Sequence, residues 1–291
     1  MGYMKIPNLY KEKEIMEKHM ECYAMEKIHG TSTNIQYIHE DKKLKFFAGG
    51  CKHETFVNIF NQEKLLEKID LLGIDEDFII YGEGYGGKCQ RMSATYGKEL
   101  KFVAFDVFVG GRFLNVPDAE RIVKFLGLEF VDYVKTTTDI ESLDKEKTKH
   151  SIQAIRNGLG EGKEREGIVI RPLVESLDRF GKRLIVKHKN DSFRETRTPR
   201  FTTEQLKVLE DAKEIAEEWV TQMRLEHILD KMPKDLEMKD IPTIQNKMLE
   251  DVYLEAEGEI VHSREVVKAI KNKTANLFKD YVKQGLYNKH K

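Results

Sequence analysis

The chain of 291 residues reads as an α+β protein, an antiparallel-sheet domain followed by an all-helical one. Three observations lead there. Apolar runs of strand length recur between Tyr23 and Lys189. The helical stretches among them are too irregularly placed for a βαβ winding. After Arg197-Thr198-Pro199-Arg200 the texture changes to long tracts rich in Glu, Lys, Leu and Ala. The length exceeds one average domain, and the break sets expected domains at 1–198 and 199–291.

In chain order, strands are expected at 34–38, 44–48, 78–81, 102–108, 167–171 and 184–187, because each is a short apolar run rich in branched or aromatic residues. Helices are expected at 62–72 and 118–125, with a weaker signal over 141–157. In the second half Thr203 is the expected cap of a first helix with Glu204 close behind. Leu206, Leu209, Ile215, Trp219, Val220 and Met223 fall at helical spacings, and 260–281 forms another amphipathic stretch. There is no fixed-period repeat, which excludes a solenoid.

Hydrophobic residues make up 40% and charged residues 34%, a globular composition with a surface dense in both signs of charge. The formal net charge of -1 means that nucleic-acid binding would rest on local basic patches. Cys22, Cys51 and Cys89 are odd in number, have no paired-ligand spacing and follow no apolar leader, so a reducing, cytoplasmic setting is expected. No apolar run approaches the roughly 20 residues a membrane span needs, and no membrane partner is expected.

Glu26-Lys27-Ile28-His29-Gly30-Thr31 sets a lysine between an acid and a glycine turn just ahead of a strand, an arrangement suited to an exposed, positioned amine. A free lysine titrates at about 10.4, so attack on a phosphate near neutral pH needs the amine deprotonated by desolvation or neighbouring cations. Standing alone, such a lysine is more often a solvated surface residue. Four further segments accompany it in order: Tyr81-Gly82-Glu83-Gly84-Tyr85-Gly86, Phe102-Val103-Ala104-Phe105-Asp106, Glu166-Gly167-Ile168-Val169-Ile170-Arg171 and Val186-Lys187-His188-Lys189-Asn190. With Lys27-Ile28-His29-Gly30 they resemble the five ordered motifs of the covalent nucleotidyltransferases, in the histidine-bearing variant of ATP-dependent RNA ligases of the T4 RNA ligase 2 type. The likeness covers roughly residues 20 to 195, and the helical tail is similar, less specifically, to the C-terminal domain of that type.

This resemblance implies an N-terminal adenylyltransferase fold, ATP-grasp-like, in which Lys27 attacks the α-phosphate of ATP and forms a lysyl-AMP. The AMP then passes to an RNA 5′-phosphate, and a 3′-hydroxyl expels it and seals the strand. RNA with 3′-OH and 5′-phosphate ends, as a nicked duplex, is the implied partner. Lys187 and Lys189, two apart on a strand, project to one face and are the cations expected at the phosphates. Glu166 and Asp106 are the expected ligands of Mg²⁺, with Mn²⁺ able to substitute. Glu26, His29 and Glu83 are the further expected nucleotide contacts, Glu83 at the ribose, with Phe105 stacked on adenine. The segment Phe47-Ala48-Gly49-Gly50-Cys51-Lys52 departs from the arginine-bearing strand of the type. Lys52 is the candidate replacement, although an ammonium cannot reproduce a bidentate guanidinium.

Gly82-Glu83-Gly84-Tyr85-Gly86-Gly87-Lys88 also fits P-loop spacing, the mark of a kinase or ATPase. Cys89 stands where that loop needs Ser or Thr for Mg²⁺, and 90–98 is a poor helix containing Gly97. A dinucleotide fingerprint on the same glycines lacks its helix. A non-catalytic RNA-binding protein is the other rival, with Lys268, Lys271, Lys273, Lys279 and Lys283 as backbone contacts, yet mere binding does not require Lys27 with its ordered partners.

Overall fold

The computed structural model describes residues 2–202, 208–233 and 236–289, the last with side chains to 284. The chain divides into two compact units, Met1–Asn190 and Asp191–Lys291, a division slightly ahead of the Pro199 break.

Among its described residues the first unit holds nine strands in two antiparallel sheets: β1 (Glu21–Lys27), β2 (Thr31–Ile38), β3 (Lys43–Ala48), β4 (Phe78–Gly86), β5 (Leu100–Val109), β6 (Arg112–Phe113), β7 (Tyr133–Thr137), β8 (Gly167–Pro172) and β9 (Val186–Lys189). One sheet runs β7-β1-β8-β9 and the other β3-β2-β4-β5-β6. The sheet-rich first half and its antiparallel pairing are as expected, and β2, β3, β4, β5 and β8 contain the runs read from sequence. The run at 184–187 is displaced to Val186–Lys189, while β1, β6 and β7 were not read. The helix Gln62–Leu72 falls where expected, capped by the Asn61 side chain and closed by Gly73 at φ 64°. The weak 141–157 signal resolves into two helices, Ile140–Lys147 and Ile152–Arg156, with Asp139 and Ser151 as their caps.

The two faces of the four-stranded sheet have different tasks. Alternation sends Cys22, Ala24, Ile168, Ile170 and Val186 to one side, where they pack on Leu9, Ile15 and Leu143. It sends Tyr23, Met25 and Val169 to the other, into the large core shared with Ile35, Ile80, Val103 and Val107 of the five-stranded sheet. Lys27, Lys187 and Lys189 continue that second face.

The second unit is helical: Ala212–Trp219, Gln222–Asp230, Ile241–Glu255 and Arg264–Lys289 surround a core of Ile215, Trp219, Leu225, Met248, Val252, Ile270 and Phe278. Thr203, Glu204 and Leu206, expected to start its first helix, lie outside the described residues. Leu209 is not helical. It forms a parallel bridge with Ile260, and the helix Ala212–Trp219 follows Asp211, whose carboxylate caps the amides of Lys213 and Glu214. Ile260 likewise precedes its helix. Local spacing cannot distinguish an apolar residue on a helix from one pinned by a distant backbone partner. Among the described residues no helix is long and apolar enough to cross a membrane.

Candidate active site

β1 pairs with β8 in the register Lys27↔Gly167, and β8 pairs with β9 in the register Gly167↔Lys189. The two lysines therefore flank one glycine across three strands. Gly167 has φ 148°, and a Cβ there would lie 2.2 Å from the His188 carbonyl oxygen, so only glycine lets β9 close at this point. One row along, Val169 sits between Met25 and Lys187. Hydrophobic packing gives way to cations within a single step of the pleat.

Glu166, immediately before β8, collects those cations. Lys27 Nζ lies 2.8 Å from Glu166 Oε2, His29 Nδ1 3.2 Å from the same oxygen, and Lys189 Nζ 3.2 Å from Oε1. Burial by itself pushes the Glu166 carboxyl up, but the charges of Lys27, Lys189 and His29 overcome it and hold it well below the usual carboxylate range. Lys187 is buried on the same face of β9 as Lys189.

Ile28-His29-Gly30 carries the chain from β1 in one sheet to β2 in the other. A Cβ at Gly30 would meet the Gly84 carbonyl oxygen at 2.4 Å and Glu83 Cγ at 2.9 Å, so the glycine permits the close approach that brings Glu83 beside the turn. Tyr96 closes the floor. Its hydroxyl accepts from the His29 amide at 3.4 Å, and burial raises its phenol, with the charges of Glu26, Glu166 and Glu83 adding to the rise.

Phe105 is the extra residue of a β-bulge: Tyr81 pairs with Asp106 and Gly82 with Ala104, leaving Phe105 without a partner on β4. Bulges re-aim side chains. The ring is partly buried and meets Tyr3 edge-on at 4.9 Å between centroids.

The remaining sequence-predicted residues lie elsewhere. Glu26 points to the opposite face from Lys27, accepting from Ser151 Oγ at 2.5 Å and from the amides of Ile152 and Gln153 at 3.0 and 3.2 Å. It anchors the start of the helix Ile152–Arg156, because adjacent strand residues face opposite ways. Lys52 is exposed and pairs with Glu54 at 2.9 Å, beside the short helix His53–Val57. Asp106 does not accompany Glu166. Its Oδ1 accepts from Arg171 Nη1 at 3.0 Å and from the Val107 amide at 3.0 Å, and its Oδ2 from Tyr3 Oη and Arg183 Nη1, both at 2.6 Å. A fully buried carboxylate so saturated has no oxygen left for a cation. Glu175 completes this cluster, accepting from Arg171 and from Arg183 Nε at 2.6 Å. A charged residue ending the apolar run of β8 is the signal of a buried ion pair.

Among the described residues no group of three or more His, Cys, Asp or Glu could hold a metal. Glu166 offers a carboxylate, which suits a magnesium-type ion only if phosphate and water complete its shell.

The loop-like glycines resolve in the same way. Gly82 to Gly86 lie inside β4, where their amides serve the sheet, so they are no phosphate-binding loop.

Comparison with known proteins agrees with this architecture. Three structures of Naegleria gruberi RNA ligase illustrate the likeness: a mutant with ATP and Mn, at 14% identity and a TM-score of 0.52; a mutant with AMP and Mn, also at 14% and 0.52; and a form with PPi, at 15% and 0.51. Each match covers 66% of this chain and 57% of the Naegleria chain, so less than two thirds of that ligase is spanned, and at such identity the likeness establishes the fold. A comparison with curated proteins returns no match. The family model described as RNA ligase matches residues 20–189, more than half the chain and the whole span from β1 to β9. The chain belongs to the RNA ligase family.

Proposed function

We propose that this protein is an ATP-dependent RNA ligase that captures AMP on Lys27 and seals 3′-OH/5′-phosphate breaks, nicks in duplex RNA above all. The observation that carries the reading is the convergence of Lys27, His29 and Lys189 on the buried Glu166 carboxylate. A lysine held by a carboxylate at the edge of a cationic row is positioned for attack on a phosphorus whose oxygens draw the neighbouring cations.

In this scheme the free Lys27 amine attacks the α-phosphorus of ATP. A P–N bond forms, the bond to the bridging oxygen breaks, and pyrophosphate leaves with the electron pair while the amine proton passes to solvent. Glu166, held ionised, is a poor proton acceptor, so it orients the amine. Lys187 and Lys189 balance the charge that develops on the phosphate oxygens. Glu83 holds the ribose and Phe105 the adenine. Mg²⁺, or Mn²⁺ in its place, would supply charge neutralisation at the pyrophosphate, with Glu166 as its protein ligand. ATP and Mn accompany the Naegleria ligase in its structures, which supports the same pair here.

RNA engagement falls to the helical unit. Arg264, Lys268, Lys279 and Lys283 are exposed along the helix Arg264–Lys289 at spacings that favour one side, suited to a phosphate backbone. A-form duplexes are recognised through phosphates and 2′-hydroxyls, which favours a nicked duplex. The three cysteines are free thiols, in keeping with a reducing, cytoplasmic setting.

Intact-mass measurement after incubation with ATP and Mg²⁺ tests the reading. The expected result is one acid-labile AMP per chain, mapped to Lys27. Absence of any adduct with either Mg²⁺ or Mn²⁺ overturns it.

A further inference from the structure

The segment ahead of the helix Glu14–Lys18 touches both sheets of the first unit. At residues 7–9 it docks on β9. The Lys187 amide donates to the Pro7 carbonyl and the Leu9 amide to the Lys187 carbonyl, both at 2.8 Å, and Leu9 is wholly buried in the cluster of Ile15 and Val186. At Tyr3 it docks on the five-stranded sheet. The Tyr3 amide donates to Ser32 Oγ of β2 at 3.2 Å, and the hydroxyl donates to Asp106 Oδ2 of β5 at 2.6 Å and accepts from Arg183 Nη1. Burial, with the Asp106 charge adding, holds the Tyr3 phenol well above its ordinary value, so it keeps the proton it donates.

A side chain pinned at its backbone and at its hydroxyl has its ring fixed between them. Three other rings meet that of Tyr3 edge-on: Tyr81 at 5.0 Å between centroids, Phe105 at 4.9 Å and Phe113 at 5.9 Å. Edge-to-face contacts set the plane of one ring relative to the next. For Phe105 this contact has a particular weight. In a regular ladder a ring is steered by the residue directly across on the neighbouring strand, and Phe105, the extra residue of the bulge, has no such partner on β4. The Tyr3 ring stands in for that missing neighbour.

We propose that Tyr3 is a positioning residue of the nucleotide site, fixing the plane of the Phe105 ring and thereby setting the affinity for the adenine base. The proposal rests on the reading of Phe105 as the adenine platform. Tyr3 acts through Phe105, since its hydroxyl is already taken up by Asp106 and Arg183 and what it offers Phe105 is the edge of its ring. The two parts of the side chain therefore separate by substitution. Tyr3→Phe loses the hydroxyl and keeps the ring, whereas Tyr3→Leu loses both and keeps apolar bulk.

The test is titration calorimetry of the full chain, with Mg²⁺, against two probes: α,β-methylene-ATP, which cannot transfer AMP, and inorganic tripolyphosphate, which has no base. Tyr3→Leu should bind the nucleotide analogue about tenfold more weakly, the scale of one impaired base-stacking contact, and tripolyphosphate as wild type does. Tyr3→Phe, the conservative variant, should recover most of that loss. Phe105→Leu should also weaken binding of the analogue, and adding Tyr3→Leu to it should change little further, because the ring that Tyr3 positions is gone. Equal losses for both probes would make Tyr3 a merely structural residue and overturn the proposal. So would additive losses in the double variant, or tighter binding of the analogue by Tyr3→Leu, the mark of a ring that blocks the pocket. Should Tyr3→Leu not fold, Tyr3→Met makes the same cut. A wild type that binds the analogue yet captures no AMP from ATP counts against the ligase reading and leaves the Tyr3 result standing. A wild type that captures AMP on Lys27 while Tyr3→Leu binds the analogue unchanged overturns the Tyr3 proposal alone.

Discussion

Of the carboxylates buried in the N-terminal unit, Glu166 and Asp106 are each matched by several cations, but of different kinds. Glu166 meets two lysines and a histidine, and Asp106 meets two arginines and a tyrosine hydroxyl. Lysine is a compact charge on a flexible stem, able to leave a carboxylate for a phosphate, whereas arginine is a planar fork that binds several acceptors at once. Arg171 uses its fork on Asp106, Glu175 and the Leu114 carbonyl together, joining β8 of one sheet to β5 of the other. The partners of Glu166 are partly exposed, at 22% for Lys27 and 14% for Lys189, and those of Asp106 almost wholly buried, at 1% for Arg171 and 5% for Arg183. The first cluster is open to a ligand and exchangeable. The second is closed and holds the sheets that carry the first.

Breaking the open cluster at Lys27, the proposed nucleophile, is expected to have the largest effect. Lys27→Ala is expected to abolish AMP attachment while still sealing RNA already adenylylated at its 5′ end; full sealing of ordinary 5′-phosphate RNA by this variant contradicts the scheme. Glu166→Gln keeps the shape but releases the amine, and AMP capture should fall about a hundredfold or more, as expected when a reacting group loses its positioning. Its melting temperature should move less than that of the variant described next.

Asp106→Ala makes the converse cut. Two buried arginines lose a shared counter-ion, a change of about 3–5 kcal/mol, which for a unit of this size lowers the melting temperature by roughly 10 °C. Calorimetry checks it, and a variant as stable as wild type would mean that Asp106 is not a structural clamp. Tyr3→Phe removes one hydrogen bond to the same carboxylate and should cost about 1 kcal/mol by urea denaturation.

Acid sharpens the comparison further. The Glu166 carboxyl is held below the usual range in the folded chain, so its stabilisation is present above the unfolded value, about 4.3, and is lost as pH falls through the depressed folded one. The stability difference between wild type and Glu166→Gln should therefore stay constant above about pH 5 and shrink below the ordinary carboxylate range. Urea midpoints between pH 6 and 2 read this directly, and a difference that grows on acidification gives the wrong sign.

Legibility from sequence followed the reach of each interaction. β5 and β8 were visible because long apolar runs announce buried strands. β7 was not, because Tyr133–Thr137 is a partly exposed edge with Lys135 and two threonines, and its identity comes from pairing with β1. β1 itself ends on Glu26 and Lys27, which read as the flank of a turn. Arginines and Tyr3 were overlooked as a group because 103 residues separate Tyr3 from Asp106 and 77 separate Asp106 from Arg183. The bulge at Phe105 is likewise invisible in the run that contains it, since a bulge exists only relative to a partner strand.

The sequence by itself determined the α+β class, the change to helix in the second half, the ordered motifs and the shared face of Lys187 and Lys189, all of which are local properties of period and order. Tertiary structure alone decided that Lys27 of β1 and Lys189 of β9 meet on Glu166 across Gly167, that Glu26 turns away to cap a helix, and that Asp106 is bound by Arg171, Arg183 and Tyr3. Each of these depends on strand register between segments far apart in the chain, and periodicity carries no information about which distant strand will be the neighbour.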